Sequence, residues 1–224
     1  MTEIDKSLFE PFMKTLLQAN KDINLISREI KEEEDLFVKH IYDSVKIIDF
    51  FDFSNSVTLL DIGSGGGIPG IPLAIALPHL KITLMDSVEK KMRRAKSITE
   101  ELKLNNVKIL IGRTEEKGHD PNFRESFDIV TARAVAELPV LLEYALPFVK
   151  VGGYFIAYKG RNHQEELSES KTALYTLGAK LTDVFSYDLP NDLGQRVYII
   201  CKKISDTPEK YPRKIGIPKK TPLK

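Results

Sequence analysis

A glycine-rich turn at residues 61–70, with the sequence Asp-Ile-Gly-Ser-Gly-Gly-Gly-Ile-Pro-Gly, restricts the possible folds of this chain more than any other feature. The turn follows a short apolar run from Val57 to Ile62 and precedes a helical stretch that reaches Leu77. Glycine allows the backbone to turn tightly and to approach a ligand closely. In open parallel sheets, ligands bind beyond the carboxyl ends of the strands. The turn therefore predicts a ligand site at the end of a first strand.

Apolar runs with the character of strands alternate with helical stretches after this turn. Such alternation is typical of βαβ units and a parallel sheet. The last two runs are joined by a link too short for a parallel crossover, so we expect them to be antiparallel at one edge. Strands are predicted at 57–62, 82–86, 107–111, 127–131, 154–158, 179–187 and 196–202, with helices at 88–102, 138–149 and 164–177. The fold class predicted is α/β, with a mostly parallel seven-stranded sheet.

Three regions are expected along the chain. Residues 1–55 contain two amphipathic helical patterns, which need another surface to bury their apolar faces. Residues 56–204 form the α/β domain. Residues 205–224 form a basic tail, whose four prolines favour an extended chain rather than a helix.

The composition excludes several classes of protein. The length of 224 residues suits one domain, and the single cysteine, Cys201, cannot form a disulfide within the chain. No apolar run reaches the roughly 18 residues of a membrane helix, and the first residues lack an export signal. The four histidines are scattered without metal-binding spacing. We expect a cytoplasmic protein with no membrane partner and no metal.

The charge is distributed unevenly. The chain has a net charge of +1, but residues 202–224 carry eight basic and two acidic side chains, a net +6 that leaves −5 for the rest. A basic tail on an acidic body suggests an anionic partner. A solvated tail without a partner is the alternative.

The glycine spacing separates classes of nucleotide site. A P-loop requires Lys and Ser or Thr after its last glycine, but Ile71 and Pro72 follow Gly70, which excludes this class. The dinucleotide pattern G-x-G-x-x-G matches residues 65–70, yet Pro69 removes a backbone N–H that a pyrophosphate would use. The match is therefore weak evidence for NAD.

Two acids point to a nucleoside ligand. Asp61 closes the first strand and Asp86 closes the second, where an acid suits hydrogen bonds to ribose hydroxyls. This arrangement serves NAD and S-adenosylmethionine equally. A carboxylate-lined pocket favours S-adenosylmethionine, whose sulfonium and amino groups are cationic. Both acids could instead be caps of strand ends.

The segment after the fourth strand bears on the methyl acceptor. Residues 128–134 lack the Asn/Asp-Pro-Pro-aromatic turn that binds exocyclic amines, and Cys201 lies in the last strand, away from a site that would need a thiolate nucleophile. A ring nitrogen such as guanine N7 needs neither device, because its lone pair attacks directly. His40, on one helix with Asp43 and Ser44, either lines the site or is structural.

Several motifs occur along nearly the whole chain in a characteristic order. They are NLISR (24–28), HIYDSV (40–45), LDIGSGGGIPGIPL (60–73), LMDS (84–87), RTEE (113–116), TARA (131–134), YKG (158–160), Arg196 and YPRKIGIP (211–218). In this order they resemble the small-subunit ribosomal RNA guanine-N7 methyltransferase G family, also called glucose-inhibited division protein B. The Pro-containing glycine turn together with the Tyr-Pro-Arg-Lys tail makes the resemblance specific.

The resemblance implies a Rossmann-like class I methyltransferase that transfers a methyl group from S-adenosylmethionine to N7 of a guanine in the decoding-region loop of bacterial 16S rRNA. Its partner would be 16S rRNA or the small ribosomal subunit. Apart from the resemblance, we expect a monomer. An NAD-dependent oxidoreductase and a non-catalytic ribosome-binding factor are the alternatives from other classes.

The resemblance also implies site residues. Donor contacts would fall on Gly63, Ser64, Gly65, Ile68, Asp86, Thr114, Glu115 and Arg133. RNA contacts would fall on Arg28, Lys39, His40, Lys159, Arg196, Arg213 and Lys214, with the basic tail on phosphates. Candidates for a catalytic role are Arg133, His40 and Lys159, and Arg133 could serve either the donor or the target base.

Overall fold

A single seven-stranded sheet with the strand order β3-β2-β1-β4-β5-β7-β6 forms the centre of the computed structural model, which describes residues 4–28, 30 and 32–224. The strands are β1 (Thr58–Ile62), β2 (Lys81–Asp86), β3 (Val107–Ile111), β4 (Phe127–Arg133), β5 (Val149–Lys159), β6 (Ala179–Asp188) and β7 (Gln195–Lys203). Strands β3, β2, β1, β4 and β5 are parallel, whereas β7 runs antiparallel to both β5 and β6. The predicted sheet and its antiparallel edge are confirmed.

Helices cover both faces of this sheet and form the N-terminal extension. The extension contains a 3-10 turn (Lys6–Phe9), α1 (Glu10–Asp22), α2 (Glu33–Leu36), a π-helical segment (Phe37–Tyr42), α3 (Asp43–Val45) and a second 3-10 turn (Lys46–Asp49). The later helices are α4 (Gly70–Ala76), α5 (Glu89–Glu101), α6 (Thr114–Lys117), α7 (Leu138–Ala145), α8 (His163–Ser168), α9 (Lys171–Thr176) and α10 (Ile217–Lys220). Short 3-10 turns lie at Leu146–Phe148 and Pro190–Asp192.

The N-terminal extension packs on the sheet domain, as its apolar periodicity predicts. Phe12, Met13 and Leu16 are fully buried in the same cluster as residues of α4 and α5. The link after α1 is held by Asn20, whose Oδ1 accepts the N–H groups of Leu25 and Ile26 at 2.8 and 3.0 Å. The link lies beside the glycine-rich turn, since a Cβ built on Gly66 would lie 3.0 Å from Cβ of Leu25.

Two predicted helices differ from their apolar patterns: one ends earlier and the other is divided. The first becomes a 3-10 turn after Ala145, because Pro147 has no N–H for an α-helical bond, and β5 begins at Val149. The second is divided into α8 and α9. Here the buried hydroxyl of Ser170 donates to the carbonyl of Glu166 at 2.6 Å, a local bond that competes with a continuous helix.

The tail does not remain extended, contrary to the prediction from its prolines. It contains α10, where Pro218 occupies the first turn, a position that needs no N–H. The guanidinium of Arg124 donates to the carbonyls of Thr207 and Tyr211 at 2.6 and 2.9 Å. The tail is therefore fastened to the sheet domain.

Two of the basic side chains near the C-terminus are neutralised inside the protein. The ammonium of Lys203, which is fully buried, donates to Glu125 at 2.8 Å and to two backbone carbonyls. The guanidinium of Arg213 makes a bidentate pair with the fully buried carboxylate of Glu143, with contacts of 2.9 and 2.6 Å. In this structure Arg213 therefore anchors the tail, whereas Lys214 is exposed.

Cys201 is fully buried in β7, and burial raises the pKa of its thiol to about 12. A thiol with this pKa is protonated at neutral pH and is a weak nucleophile. The interpretation of Cys201 as a structural residue agrees with this position.

Replacing Arg213 with Ala should destabilise the fold by about 3 kcal/mol, because the buried carboxylate of Glu143 would lose its partner. Lys214→Ala is the matched control and should change the free energy of unfolding by less than about 0.5 kcal/mol. Urea denaturation of both variants measures the difference. Equal stabilities would show that the pair does not hold the tail.

Candidate functional site

Two cavities lie at the carboxyl ends of the parallel strands and meet at Ala134. The arginine cavity, of about 460 Å³, is lined by Ser27, Ile30, Lys39, His40, Asp43, Arg133, Ala134, Tyr158, Lys159, Gly160 and Arg196. The glycine-loop cavity, of about 330 Å³, is lined by Gly63, Met85, Asp86, Ser87, Lys91, Gly112, Arg113, Thr114, Glu115, Ala134, Val135 and Tyr144. The turn predicted to hold a ligand thus borders a cavity.

The backbone of the glycine loop is shaped by a close contact and by Asp86. Gly63 has a φ of +67°, and a Cβ there would lie 2.4 Å from Cγ2 of Val135. Both carboxylate oxygens of Asp86 accept backbone N–H groups, from Gly65 at 3.0 Å and from Val88 at 2.8 Å. Asp86 therefore fixes the loop and also faces the cavity.

Asp61 lies beneath the loop and does not line either cavity. Its carboxylate is fully buried and accepts bonds from the N–H of Gly70 at 3.0 Å and from the hydroxyl of Thr131 at 3.1 Å. Burial raises the pKa of Asp61 to about 7. Asp61 therefore has the alternative role considered above, that of a structural acid at the end of a strand.

Glu115 connects the glycine-loop cavity with the C-terminal tail. It lies on the short helix α6, is 8% exposed, and accepts the N–H of Gly216 at 3.3 Å. The hydroxyl of Thr114 donates to the other oxygen of Glu115 at 3.2 Å. Burial and the nearby Glu115 raise the pKa of Tyr144 to about 12, so its phenol is neutral at physiological pH.

Arg133, at the end of β4, binds the N-terminal extension. Its guanidinium donates to the carbonyl of Lys39 at 3.1 Å, to the carboxylate of Asp43 at 2.6 Å, and to Nδ1 of His40. The side chain lines the arginine cavity rather than the glycine-loop cavity. Arg133 was expected to serve either the methyl donor or the target base, and this position suits a contact with the target base.

His40 is a neutral imidazole in this environment. Burial, and then the positive charges of Arg133, Lys39 and Arg196, lower the pKa of His40 to about 3. Because a guanidinium can only donate, Nδ1 of His40 must accept, and the ring proton is assigned to Nε2. A histidine with such a low pKa is a poor proton acceptor at neutral pH.

Three tyrosines from the antiparallel edge surround α3, an arrangement that the sequence analysis missed. Asp43 is 3% exposed; its carboxylate accepts the hydroxyl of Tyr187 at 2.5 Å and its carbonyl accepts that of Tyr198 at 2.8 Å. Tyr158 donates to the carbonyl of Ser44 at 2.9 Å. The available signal was the tyrosine content of the last three strands, but only the sheet order brings these residues together.

The remaining basic residues of the arginine cavity differ in how far they are neutralised. The ammonium of Lys159 donates to the carbonyl of Ala136 at 2.7 Å and forms an ion pair with Glu166. Lys39 pairs with Asp35 at 3.0 Å on the protein surface. Nε of Arg196 lies 3.9 Å from Asp43, a long contact that leaves much of its charge available.

The structure divides the predicted site residues between several places. Lys39, His40, Arg133, Lys159 and Arg196 meet in the arginine cavity, and Gly63, Asp86, Thr114 and Glu115 meet in the glycine-loop cavity. Ser64 and Gly65 belong to the loop, Ile68 packs in the core, and Arg28, Arg213 and Lys214 lie outside both cavities. The proposed roles of these residues remain predictions.

Ala134 separates the two cavities and has a φ of +56°, in the left-handed region. Non-glycine residues in this region are uncommon and cluster at functional sites. Val135, the next residue, lies against Gly63 and extends this boundary between the two cavities. Two ligands bound on either side of this segment would be adjacent, which is the arrangement that group transfer requires.

Within the described part of the chain, no set of three His, Cys, Asp or Glu side chains is placed to hold a metal ion. None of the helices described there is long and apolar enough to span a membrane.

Comparison with known proteins identifies close relatives. The model of the GidB family, described as rRNA small subunit methyltransferase G, matches residues 5–193. Ribosomal RNA small subunit methyltransferase G of Brevibacillus brevis is 44% identical over 223 residues, covering 100% of this chain and 93% of the relative. The protein of the same name from Staphylococcus aureus strain Newman is 43% identical, with 100% and 92% covered.

Solved structures support the fold class. An O-methyltransferase of Bacillus cereus, in complex with SAH, superposes with a TM-score of 0.58 at 17% identity, covering 88% of this chain and 91% of the other. This similarity confirms the Rossmann-like methyltransferase fold predicted from the motifs.

The raised pKa of Asp61 predicts a pH-dependent effect of Asp61→Asn. An acid with a raised pKa in the folded state contributes stability at low pH that is lost as the pH rises towards that pKa. The variant keeps an acceptor for Gly70 and has no charge to bury. Between pH 5 and pH 8, its stability relative to the wild type should increase by about 2 kcal/mol, measured by urea denaturation. Parallel curves for the two proteins would contradict this assignment.

Proposed function

The chain belongs to the rRNA small subunit methyltransferase G family, and we propose that it transfers a methyl group from S-adenosylmethionine to N7 of a guanine in the decoding-region loop of 16S rRNA. The observation that carries this proposal is the meeting at Ala134 of two cavities, one that contains the glycine loop with Asp86 and Glu115 and one that is rich in basic side chains. Membership of this family argues against the alternative of an NAD-dependent oxidoreductase.

The glycine-loop cavity suits S-adenosylmethionine. Its volume of about 330 Å³ lies within the range of small-molecule sites. Each carboxylate oxygen of Asp86 accepts one backbone N–H and retains a lone pair for a ribose hydroxyl. Glu115 provides a second acid, and Gly63 leaves the backbone accessible. When bound there, S-adenosylmethionine supplies an activated methyl group and a neutral thioether leaving group.

The arginine cavity suits a guanine on RNA. The positive charges of Lys39, Arg133 and Arg196 attract an anionic nucleic acid, and the cavity of about 460 Å³ lies beside the proposed donor site. Guanine presents the acceptors O6 and N7 on one edge. A donor to O6 would orient the base while N7 remains free.

His40 is the donor that we assign to this O6. Arg133 and Lys159 both direct N–H groups to protein acceptors, whereas Nε2 of His40 has no hydrogen-bond partner among the described residues. The low pKa of His40 keeps the ring neutral. A neutral ring donates a hydrogen bond without adding positive charge beside a base that becomes cationic on methylation.

No general base is needed for this reaction, because N7 uses a lone pair and loses no proton when the methyl group is transferred. The protein therefore acts mainly by holding the two reactants next to each other in line. The fixed segment from Arg133 to Val135, bound on one side to the N-terminal extension and on the other to Gly63, is suited to this task.

Gly63→Val tests the donor site. The added side chain would clash with Val135 and is strained at a positive φ, so the affinity for S-adenosylhomocysteine should fall at least about tenfold, or 1.4 kcal/mol. Gly160→Ala is the control, since no atom lies within 4 Å of its Cβ position. Isothermal titration calorimetry measures both affinities, and circular dichroism checks the fold. An unchanged affinity of Gly63→Val would place the donor elsewhere.

The reaction itself is tested with small ribosomal subunits from a strain that lacks the modification. Incubation with labelled S-adenosylmethionine should label one guanine of 16S rRNA at N7, and the base is mapped by strand cleavage at N7-methylguanine. His40→Ala should lower kcat while leaving the affinity for S-adenosylhomocysteine unchanged. Label on an exocyclic amine, or on another base, would refute the proposed target atom.

A further inference from the structure

A groove of about 480 Å³ continues from the arginine cavity across the protein surface. It is lined by Gly160, Arg161, Asn162, Glu166, Leu193, Gly194, Gln195 and Arg196. Gly160 and Arg196 belong to both the groove and the cavity. A ligand strand that leaves the cavity on this side would therefore pass directly into the groove.

Two guanidinium groups lie close to Gly194, in the loop between β6 and β7. A Cβ built on Gly194 would lie 3.8 Å from NH2 of Arg161 and 3.8 Å from NH1 of Arg196. Because both distances are measured from the same point, these two nitrogens are at most 7.6 Å apart. The missing side chain at Gly194 leaves the space beside them open.

The positive charge of this pair is not balanced within the described part of the chain. Arg161 is exposed and forms no ion pair or hydrogen bond there, and Arg196 has only the 3.9 Å contact with Asp43 and a bond to the carbonyl of Gln195. Glu166 is the carboxylate lining the groove, and it already accepts from Lys159 and from the N–H of Leu138. Two like charges held this close favour a bound anion.

We propose that Arg161 and Arg196 bind an RNA phosphate next to the nucleotide whose base enters the arginine cavity. The inference rests on the proposed function, which makes RNA the occupant of that cavity. Guanidinium groups match the geometry of phosphate oxygens better than ammonium groups do. A phosphate contact positions the strand and does not read its sequence. Arg161 is thus a positioning residue that the motifs did not identify.

Arg161→Ala in the full chain tests the site with unmodified small ribosomal subunits as the probe. The affinity should fall about tenfold, and the slope of log K against log salt should become shallower by about one. In methyl transfer, KM for the subunits should rise while kcat is retained, and the affinity for S-adenosylhomocysteine should not change. Arg161→Lys should restore part of the affinity, because it keeps the charge.

Arg93→Ala is the matched control, since Arg93 is an exposed arginine of α5 that pairs with Glu89. An Arg161→Ala variant that behaves like this control would overturn the phosphate site. A weaker affinity with an unchanged salt slope would also overturn it, because the contact would then not be to a phosphate. Failure of the wild type to methylate N7 would refute the proposed function alone, provided that Arg161→Ala still weakens binding with the expected salt slope.

Discussion

The ion pair between Arg133 and Asp43 is the interaction on which the site depends. Arg133 ends the central strand β4, and Asp43 lies in the N-terminal extension with 3% of its surface exposed. Removing one member of such a buried pair typically costs about 3–5 kcal/mol. The hydroxyls of Tyr187 and Tyr198 also bind Asp43, at its other carboxylate oxygen and at its carbonyl. The pair therefore attaches the extension to the sheet at the point where one wall of the arginine cavity is formed.

The same pair explains how charge is arranged around the proposed reaction. Arg133 orients His40, and the surrounding positive charges together with burial keep this imidazole neutral. Acidic side chains lie on the other side of Ala134, where Asp86 also fixes the glycine loop. The proposed donor cavity thus offers the carboxylates of Asp86 and Glu115, and the proposed acceptor cavity is rich in cations. The tail contributes to the donor side through Gly216 and Glu115.

Local patterns were sufficient to predict the sheet but not the partners of individual side chains. The alternation of apolar runs predicted every strand, and the short link before β7 predicted the antiparallel edge. In contrast, the direction of Arg133 depends on a segment about 90 residues away, and the roles of Glu143 and Glu125 depend on where the tail packs. The tail charge suggested an anionic partner, yet the buried Lys203 pairs with Glu125 and Arg213 pairs with the buried Glu143. Charge counts do not reveal which cations are used internally.

A crystal structure with bound S-adenosylhomocysteine tests the central claim most directly. We expect the ribose beside Asp86, the adenine near Glu115, and the sulfur at Ala134, facing the arginine cavity. His40 and Asp43 should keep their contacts with Arg133. A sulfur atom directed away from Ala134, or a ligand bound in the arginine cavity itself, would contradict the proposed placement of donor and acceptor.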